Sequence, residues 1–217
     1  MAIGDRSEGR PLAAHRLPGG RHGLPAKAVA ESQRWRLIGA AAEVLAEHGY
    51  LGTTSRRIAT AAAVSSSTFY AHFNGVPDCL LASFRVTADS VLAVISRACE
   101  GRPSELRKTE PVLNAAVAFC RSESQLTLLL STELSVALEE IWHERSRLVG
   151  QLARLLRTGG DIREATGQSS APMADPIVAI VALICDRSKQ GRLGEAPQLG
   201  SQLSRLLLAA TSGTARC

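Results

Sequence analysis

Apolar positions recur along this chain at helical spacing, and no stretch shows the sustained alternation or β-branched richness of a strand. From Pro25 onward, Val29, Leu37, Ile38, Ala41, Val44 and Leu45 fall on one face of a long helix, with Pro25 suited to its first turn and Gly49 as the expected left-handed stop. After Gly52, any of Thr53, Thr54 or Ser55 can cap a short helix whose inner face is Ile58, Ala59 and Ala62. Ser65 then caps a second short helix, SSTFYAHF, separated from the first only by Ala62 to Val64, which is the spacing of a helix-turn-helix. From Pro77 the segments lengthen. DCLLASFRVTADSVLAVISRACE reads as a long amphipathic helix ended by Gly101 and Pro103, and Leu106 to Cys120 as another, broken or restarted at Pro111. Leu126 to Leu134 is a short apolar piece, ALEEIWHERSRLVGQLARLLRTGG a strong helix with a Gly-Gly stop, and Asp161 to Asp175 a polar loop. Two helices close the chain, about Asp175 to Lys189 and Ala196 to Thr211. The predicted fold class is all-α: an N-terminal three-helix unit over residues 25–76, then a helical bundle over residues 77–217. Residues 1–24 lack apolar periodicity, carry four arginines and are expected to form a disordered basic arm.

Composition changes this picture little. At 217 residues, 45% hydrophobic and 21% charged, the chain can bury a substantial core. Its longest apolar runs, such as PIVAIVALIC, fall short of the roughly 18 residues a membrane span needs, so no membrane partner is expected. The N-terminus has no apolar signal stretch, which points to a cytoplasmic protein. Cysteines 79, 99, 120, 185 and 217 are odd in number, widely spaced and without a C-x-x-C pair or nearby histidine, so buried thiols are expected, with no metal and no cofactor.

Charge is more informative when divided. Residues 1–75 hold nine Lys+Arg against five Asp+Glu, a net +4, which leaves only +1 of the total +5 for the rest. A basic excess confined to one end suits a polyanion-binding module on a neutral body. Candidate chemistry sits at the same end. Ser65, Ser66, Ser67 and Thr68 give the second short helix small polar residues in its first turn, as close approach to base edges and phosphates requires. Tyr70 and His72 can donate to phosphate oxygens, while Phe69 and Phe73, four apart, can pin so short a helix to its neighbours. Arg56 and Arg57, in the first turn of the preceding helix, oppose its dipole at a cost of about 0.3–1 kcal/mol each, which an anionic partner would reverse.

Leu37 to Phe84, LIGAAAEVLAEHGYLGTTSRRIATAAAVSSSTFYAHFNGVPDCLLASF, resembles the DNA-binding domain of TetR family transcriptional regulators. Gly49-Tyr50, Thr53-Thr54, Ile58-Ala59, Val64-Ser65, Thr68, Tyr70, His72-Phe73 and Leu80-Leu81 all fall in register with that family's pattern. The resemblance implies double-stranded DNA as partner, with Arg56, Ser66, Ser67 and Thr68 reading bases and Thr54, Tyr70 and His72 on phosphates; Thr53, Arg57 and Ser65 complete the candidate DNA-binding set. Three departures matter: Ala63 stands where the family has a turn glycine, Ser67 replaces a recognition-helix glycine, and Val76 replaces a lysine. An alanine held near positive φ costs on the order of 1 kcal/mol.

The resemblance also implies a C-terminal body that binds a small-molecule effector and dimerises through its last two helices, shifting population away from the DNA-competent form. Ile177, Ile180, Val181 and Ile184 form one stripe and Leu199, Leu203, Leu206 and Leu207 another, which suits a four-helix homodimer interface or intramolecular core. Phe119, Cys120, Trp142 and His143 are candidate ligand-pocket residues. Enzyme motifs are missing: there is no Gly-rich phosphate loop and no G-x-S-x-G, and His143-Glu144 lacks a partner histidine. The function expected is a ligand-responsive repressor acting as a homodimer on a near-palindromic operator. The alternative is a helical interaction protein that keeps the trihelical fold but has lost specific DNA binding.

Overall fold

A computed structural model describes residues 25–101, 105–131, 134, 138–158, 174–192 and 198–214; the basic arm, most of the polar loop and Cys217 lie outside the described residues. Among the described residues every element is helical: α1 (Ala26–Gly52), α2 (Ser55–Ala61), α3 (Ser66–His72), α4 (Val76–Cys99), α5 (Glu105–Ser122), α6 (Ser124–Leu129), α7 (Glu139–Thr158), α8 (Ala174–Lys189) and α9 (Leu199–Thr214). The chain forms two compact units that divide in sequence between Ser83 and Phe84. The first turns of α4 therefore go with the trihelical unit. Cys79 and Leu80 are fully buried there, and the Ser83 hydroxyl lies 2.9 Å from the carbonyls of both Ile38 and Cys79.

In the first unit α1 supplies the apolar platform expected of it through Leu37, Ile38, Ala41, Val44 and Leu45, all buried. Val29 is exposed, because burial along α1 begins only at Ser32. Gly49 breaks the helix at φ 66°, ψ 178°, and Tyr50 to Gly52 make a last separate turn. Ile58 and Ala59 of α2 and Phe69 of α3 close the core, with Phe73 beside Phe69 at 5.8 Å between ring centroids. Seven-residue helices cannot hold themselves together in water. These two are held by caps: Thr54 accepts from the Arg57 amide at 3.3 Å and Ser65 from the Thr68 amide at 3.0 Å.

In the second unit α5 packs against α6, α7, α8 and α9, and α8 against α6, α7 and α9. Contrary to the expected break, α5 runs through Pro111, which falls in its second turn where the loss of one N–H removes one helical bond. The α5–α9 crossing is close: a Cβ at Gly200 would lie 2.9 Å from the Asn114 Cα and overlap the Asn114 side chain, and the Ser201 hydroxyl donates to Glu110 Oε1 at 2.6 Å. The stripes considered for dimerisation are core within the chain, since Ile177, Ile180, Ile184, Leu199, Leu203 and Leu207 are all buried. Only Leu206 of those stripes stands out, 61% exposed. Helix α4 is long and apolar enough to cross a membrane by length and composition alone, but Cys79, Leu80, Phe84, Val91, Leu92 and Ile95 spend its apolar face on protein cores.

Candidate nucleic-acid interface and effector cavity

The helix-turn-helix is built from local geometry. Ala63 occupies the turn at φ 52°, the one non-glycine residue with positive φ among those described, and its carbonyl accepts from Arg36 Nη1 at 3.5 Å. The α3 N-terminus presents a hydroxyl cluster in which Ser65 Oγ lies 2.7 Å from Ser67 Oγ and 2.8 Å from Thr68 Oγ1. Ser65, Ser66 and Ser67 are all exposed. Ser65 is thus committed to the cap, and Ser66 and Ser67 form the outward surface. Tyr70 is exposed and its hydroxyl meets Ser55 Oγ at 3.0 Å, tying α3 to α2.

The two arginines differ. Arg57 Nη1 donates to the Gly52 carbonyl at 2.7 Å, so it satisfies the end of α1 and is partly spent on structure. Arg56 is exposed and makes no hydrogen bond or ion pair with the described residues. With Thr54, Arg57 and Thr60 it lines an open groove of about 480 Å³ whose other wall carries Glu47 and His48.

Thr53 is a correction to the candidate set. It is buried and its hydroxyl donates to the Gly49 carbonyl at 2.7 Å, so the kinked end of α1 turns it inward and leaves it no surface for DNA. His72 is half-buried, with Nε2 3.5 Å from Gln33 Oε1; partial burial, then the charge of Arg34, lowers its pKa, making the ring a neutral donor at pH 7. Sequence reasoning missed Arg34 itself. Its Nη1 donates to the His72 carbonyl at 3.1 Å and its guanidinium sits 4.5 Å from the centre of the Phe73 ring, bracing the α3 C-terminus. The available signal was Arg34 and Arg36 flanking Trp35 on α1, a pattern that does not say what either arginine braces.

The second unit holds a cavity of about 60 Å³ with an entirely apolar wall, including Ile95 of α4, Phe119 and Cys120 of α5, Leu152 of α7, and Ile184 and Cys185 of α8. The structure brings Phe119 and Cys120 to it. Trp142 and His143 do not line it: Trp142 is 51% exposed, and His143 is exposed and 3.7 Å from Glu139 Oε1. Helical phase is the reason, because Ile141, Leu148, Leu152 and Leu155 take the inner face of α7 and residues 142 and 143 are rotated away. Burial pushes the Cys185 thiol up to about 12 and also raises that of Cys120, so both are protonated, unreactive thiols at neutral pH. Among the described residues no group of histidine, cysteine and carboxylate side chains could hold a metal ion.

A capped helix-turn-helix is thus followed by an all-helical unit built around an apolar cavity. Residues 37–82 match the family described as bacterial regulatory proteins, tetR family. Among solved structures, the fatty acid degradation regulator FadR from Bacillus halodurans is 22% identical with a TM-score of 0.62, covering 81% of this chain and 94% of that one. A TetR family transcription regulator from Marinobacter aquaeolei VT8 is 16% identical, with a TM-score of 0.64 and coverage of 85% and 97%. FadR from Bacillus subtilis in complex with stearoyl-CoA is 18% identical, with a TM-score of 0.57 and coverage of 81% and 97%. No curated protein sequence matches the chain significantly. The chain carries the tetR-family helix-turn-helix and has the fold of TetR-family transcription regulators.

Proposed function

We propose that this protein is a ligand-responsive transcriptional repressor that binds a near-palindromic DNA operator as a homodimer. The observation that carries the reading is the outward surface of the helix-turn-helix: Ser66 and Ser67 exposed on the first turn of α3, with the unengaged Arg56 on α2. Capping and aromatic anchoring are already supplied by Ser65, Phe69 and Phe73, so these side chains are available for base edges and phosphates. A homodimer would present two such surfaces to successive major grooves.

The apolar cavity supports the second half of the reading. An effector that fits it better in one conformation than in another shifts the population between DNA-competent and DNA-incompetent forms. Helix α4 is the covalent link that would carry such a shift, since Cys79 and Leu80 near its start are core of the first unit and Val91 and Ile95 further along line the cavity. The named functions of the FadR proteins favour an apolar, fatty-acid-like effector.

Fluorescence anisotropy against duplexes tiled from the DNA flanking the protein's own gene, at two salt concentrations, tests this. One near-palindromic duplex should bind tightly, with weak, strongly salt-dependent binding elsewhere. Arg56→Ala should weaken the specific complex by about 1–3 kcal/mol and relax preference at one base position. Uniformly weak binding to every duplex, unchanged by Arg56→Ala, would favour the interaction-protein alternative, for which the strained Ala63 turn and Val76 in place of a lysine speak.

A further inference from the structure

Arg145 is used neither by the helix-turn-helix nor by the surface ion pairs. It lies on α7, is only 4% exposed, and its Nε and Nη2 are buried without a hydrogen-bond partner. A guanidinium stays charged at neutral pH and brings five N–H donors, so leaving it dry and unpaired is among the costliest arrangements a core can contain. Its neighbour Glu144 cannot help, because that carboxylate is taken by Arg85 at 2.8 Å and Arg147 at 3.7 Å. Desolvation lowers the Arg145 pKa, opposed only by Cys185, and no carboxylate offsets it.

Its position gives the orphaned cation a use. Ile141, Arg145, Leu148 and Leu152 follow one another at helical spacing as a single buried stripe, and Leu152 is part of the cavity wall. Cys185, another wall residue, lies within the electrostatic reach of both Arg145 and Lys189, whose charges oppose the burial that raises its thiol. Ser188, three residues beyond Cys185 and so on the same face of α8, likewise has a buried hydroxyl with no partner. Neither Arg145 nor Ser188 is a wall residue of the cavity, but each shares a helix face with one, Leu152 on α7 and Cys185 on α8, and both carry buried donors that lack an acceptor. The protonated thiols of Cys120 and Cys185 cannot serve as counter-ions.

We propose that Arg145, helped by Ser188, anchors the head group of the effector, and that the effector is an apolar monocarboxylate whose carboxylate pairs with the guanidinium while its hydrocarbon tail enters the cavity. This rests on reading the cavity as the effector site. At about 60 Å³ the cavity has room for only a short segment of chain, so a longer tail must spread its walls. That expansion is the difference between two states which an effector must exploit to shift a population. A bidentate guanidinium–carboxylate pair in a dry site also selects against a neutral head group of the same size.

Calorimetric titration of the full chain with decanoate, decanol and decanoyl-CoA, on wild type and on Arg145→Met and Arg145→Lys, tests the proposal. Decanoate should bind wild type more tightly than decanol does. Arg145→Met should weaken decanoate by about 10- to 100-fold, the loss of a hydrogen-bonded charge pair, and leave decanol unchanged, with Arg145→Lys in between. Ligand-free Arg145→Met should unfold at the same temperature as wild type or higher, because it removes an uncompensated buried charge. Equal binding of decanol and decanoate, no decanoate binding, decanoyl-CoA binding that ignores Arg145→Met, or a lower unfolding temperature for that variant would each overturn it. DNA anisotropy of the ligand-free protein is read separately. Loss of DNA binding with an intact decanoate titration removes the regulator and keeps the carboxylate site; the converse removes the site and keeps the regulator.

Discussion

Thr53 and Thr54 are adjacent and chemically identical, yet one is buried under the end of α1 and the other caps α2 in the open. Thr53→Val should therefore act on stability alone. Leaving the Gly49 carbonyl without the 2.7 Å donor should cost about 0.5–1.5 kcal/mol in urea unfolding, while the folded fraction binds operator DNA as wild type does. A selective loss of DNA affinity with unchanged stability would return Thr53 to the DNA surface. Ala63 predicts the opposite sign. At φ 52° it carries the strain a glycine would not, so Ala63→Gly should stabilise the first unit by up to about 1 kcal/mol after the glycine's extra unfolded-state entropy is subtracted. Part of this scale was legible in sequence: the Ser65 cap and the Phe69 anchor follow from local rules about caps and spacing, while the left-handed Ala63 was expected only because the family resemblance puts a turn glycine there. What was not legible depended on a partner far along the chain. The inward turn of Thr53 follows from how the chain leaves Gly49, and Arg34 shows its purpose only once α3 is laid against α1.

At the scale of elements, periodicity located the helices well and their neighbours poorly. The closing helix was expected from Ala196 and is observed from Leu199, and α8 begins at Ala174, one residue before the expectation. Pro111 misled more seriously, because a proline within the first turns of a helix removes a single bond and does not end it. Phase decided the fate of Trp142 and His143, which share α7 with the cavity-lining Leu152 but not its face. No rule of composition marks Gly200 as special, yet it is where α9 approaches α5 most closely among the described glycines. Gly200→Ala gains helix propensity of about 1 kcal/mol on its own helix and loses more to the overlap with Asn114, because the conflict includes the Asn114 Cα and cannot be relieved by a rotamer alone. The net expected effect is destabilisation of about 1–2 kcal/mol, read as a lower midpoint in urea. A variant as stable as wild type would mean that α5 and α9 can separate at that crossing without loss.

At the scale of the whole molecule, an apolar stripe does not reveal whether it will be covered by its own chain or by a second copy. Here Ile177, Ile180, Ile184, Leu199, Leu203 and Leu207 are covered internally, which leaves Val178 and Leu183 of α8 and Leu206 of α9 as the large apolar side chains those two helices expose. If the protein dimerises through its last two helices, as proposed, these residues and not the buried stripe make the contact. Leu206→Glu discriminates. The side chain is 61% exposed, so the substitution leaves the protomer's own core intact and the unfolding midpoint of a dilute sample close to that of dilute wild type. In a two-fold interface each substitution occurs twice, and burying a leucine is worth about 1.5–3 kcal/mol. Losing both leucines and confronting two carboxylates should raise the dimer dissociation constant by at least about a hundredfold. Sedimentation velocity over a concentration series measures this directly, and operator affinity should fall with it, since a lone protomer engages one half-site. A wild-type dimer that survives Leu206→Glu unchanged would place the interface elsewhere on the helical body, and a wild type that is monomeric at every concentration would remove the two-half-site reading of the operator.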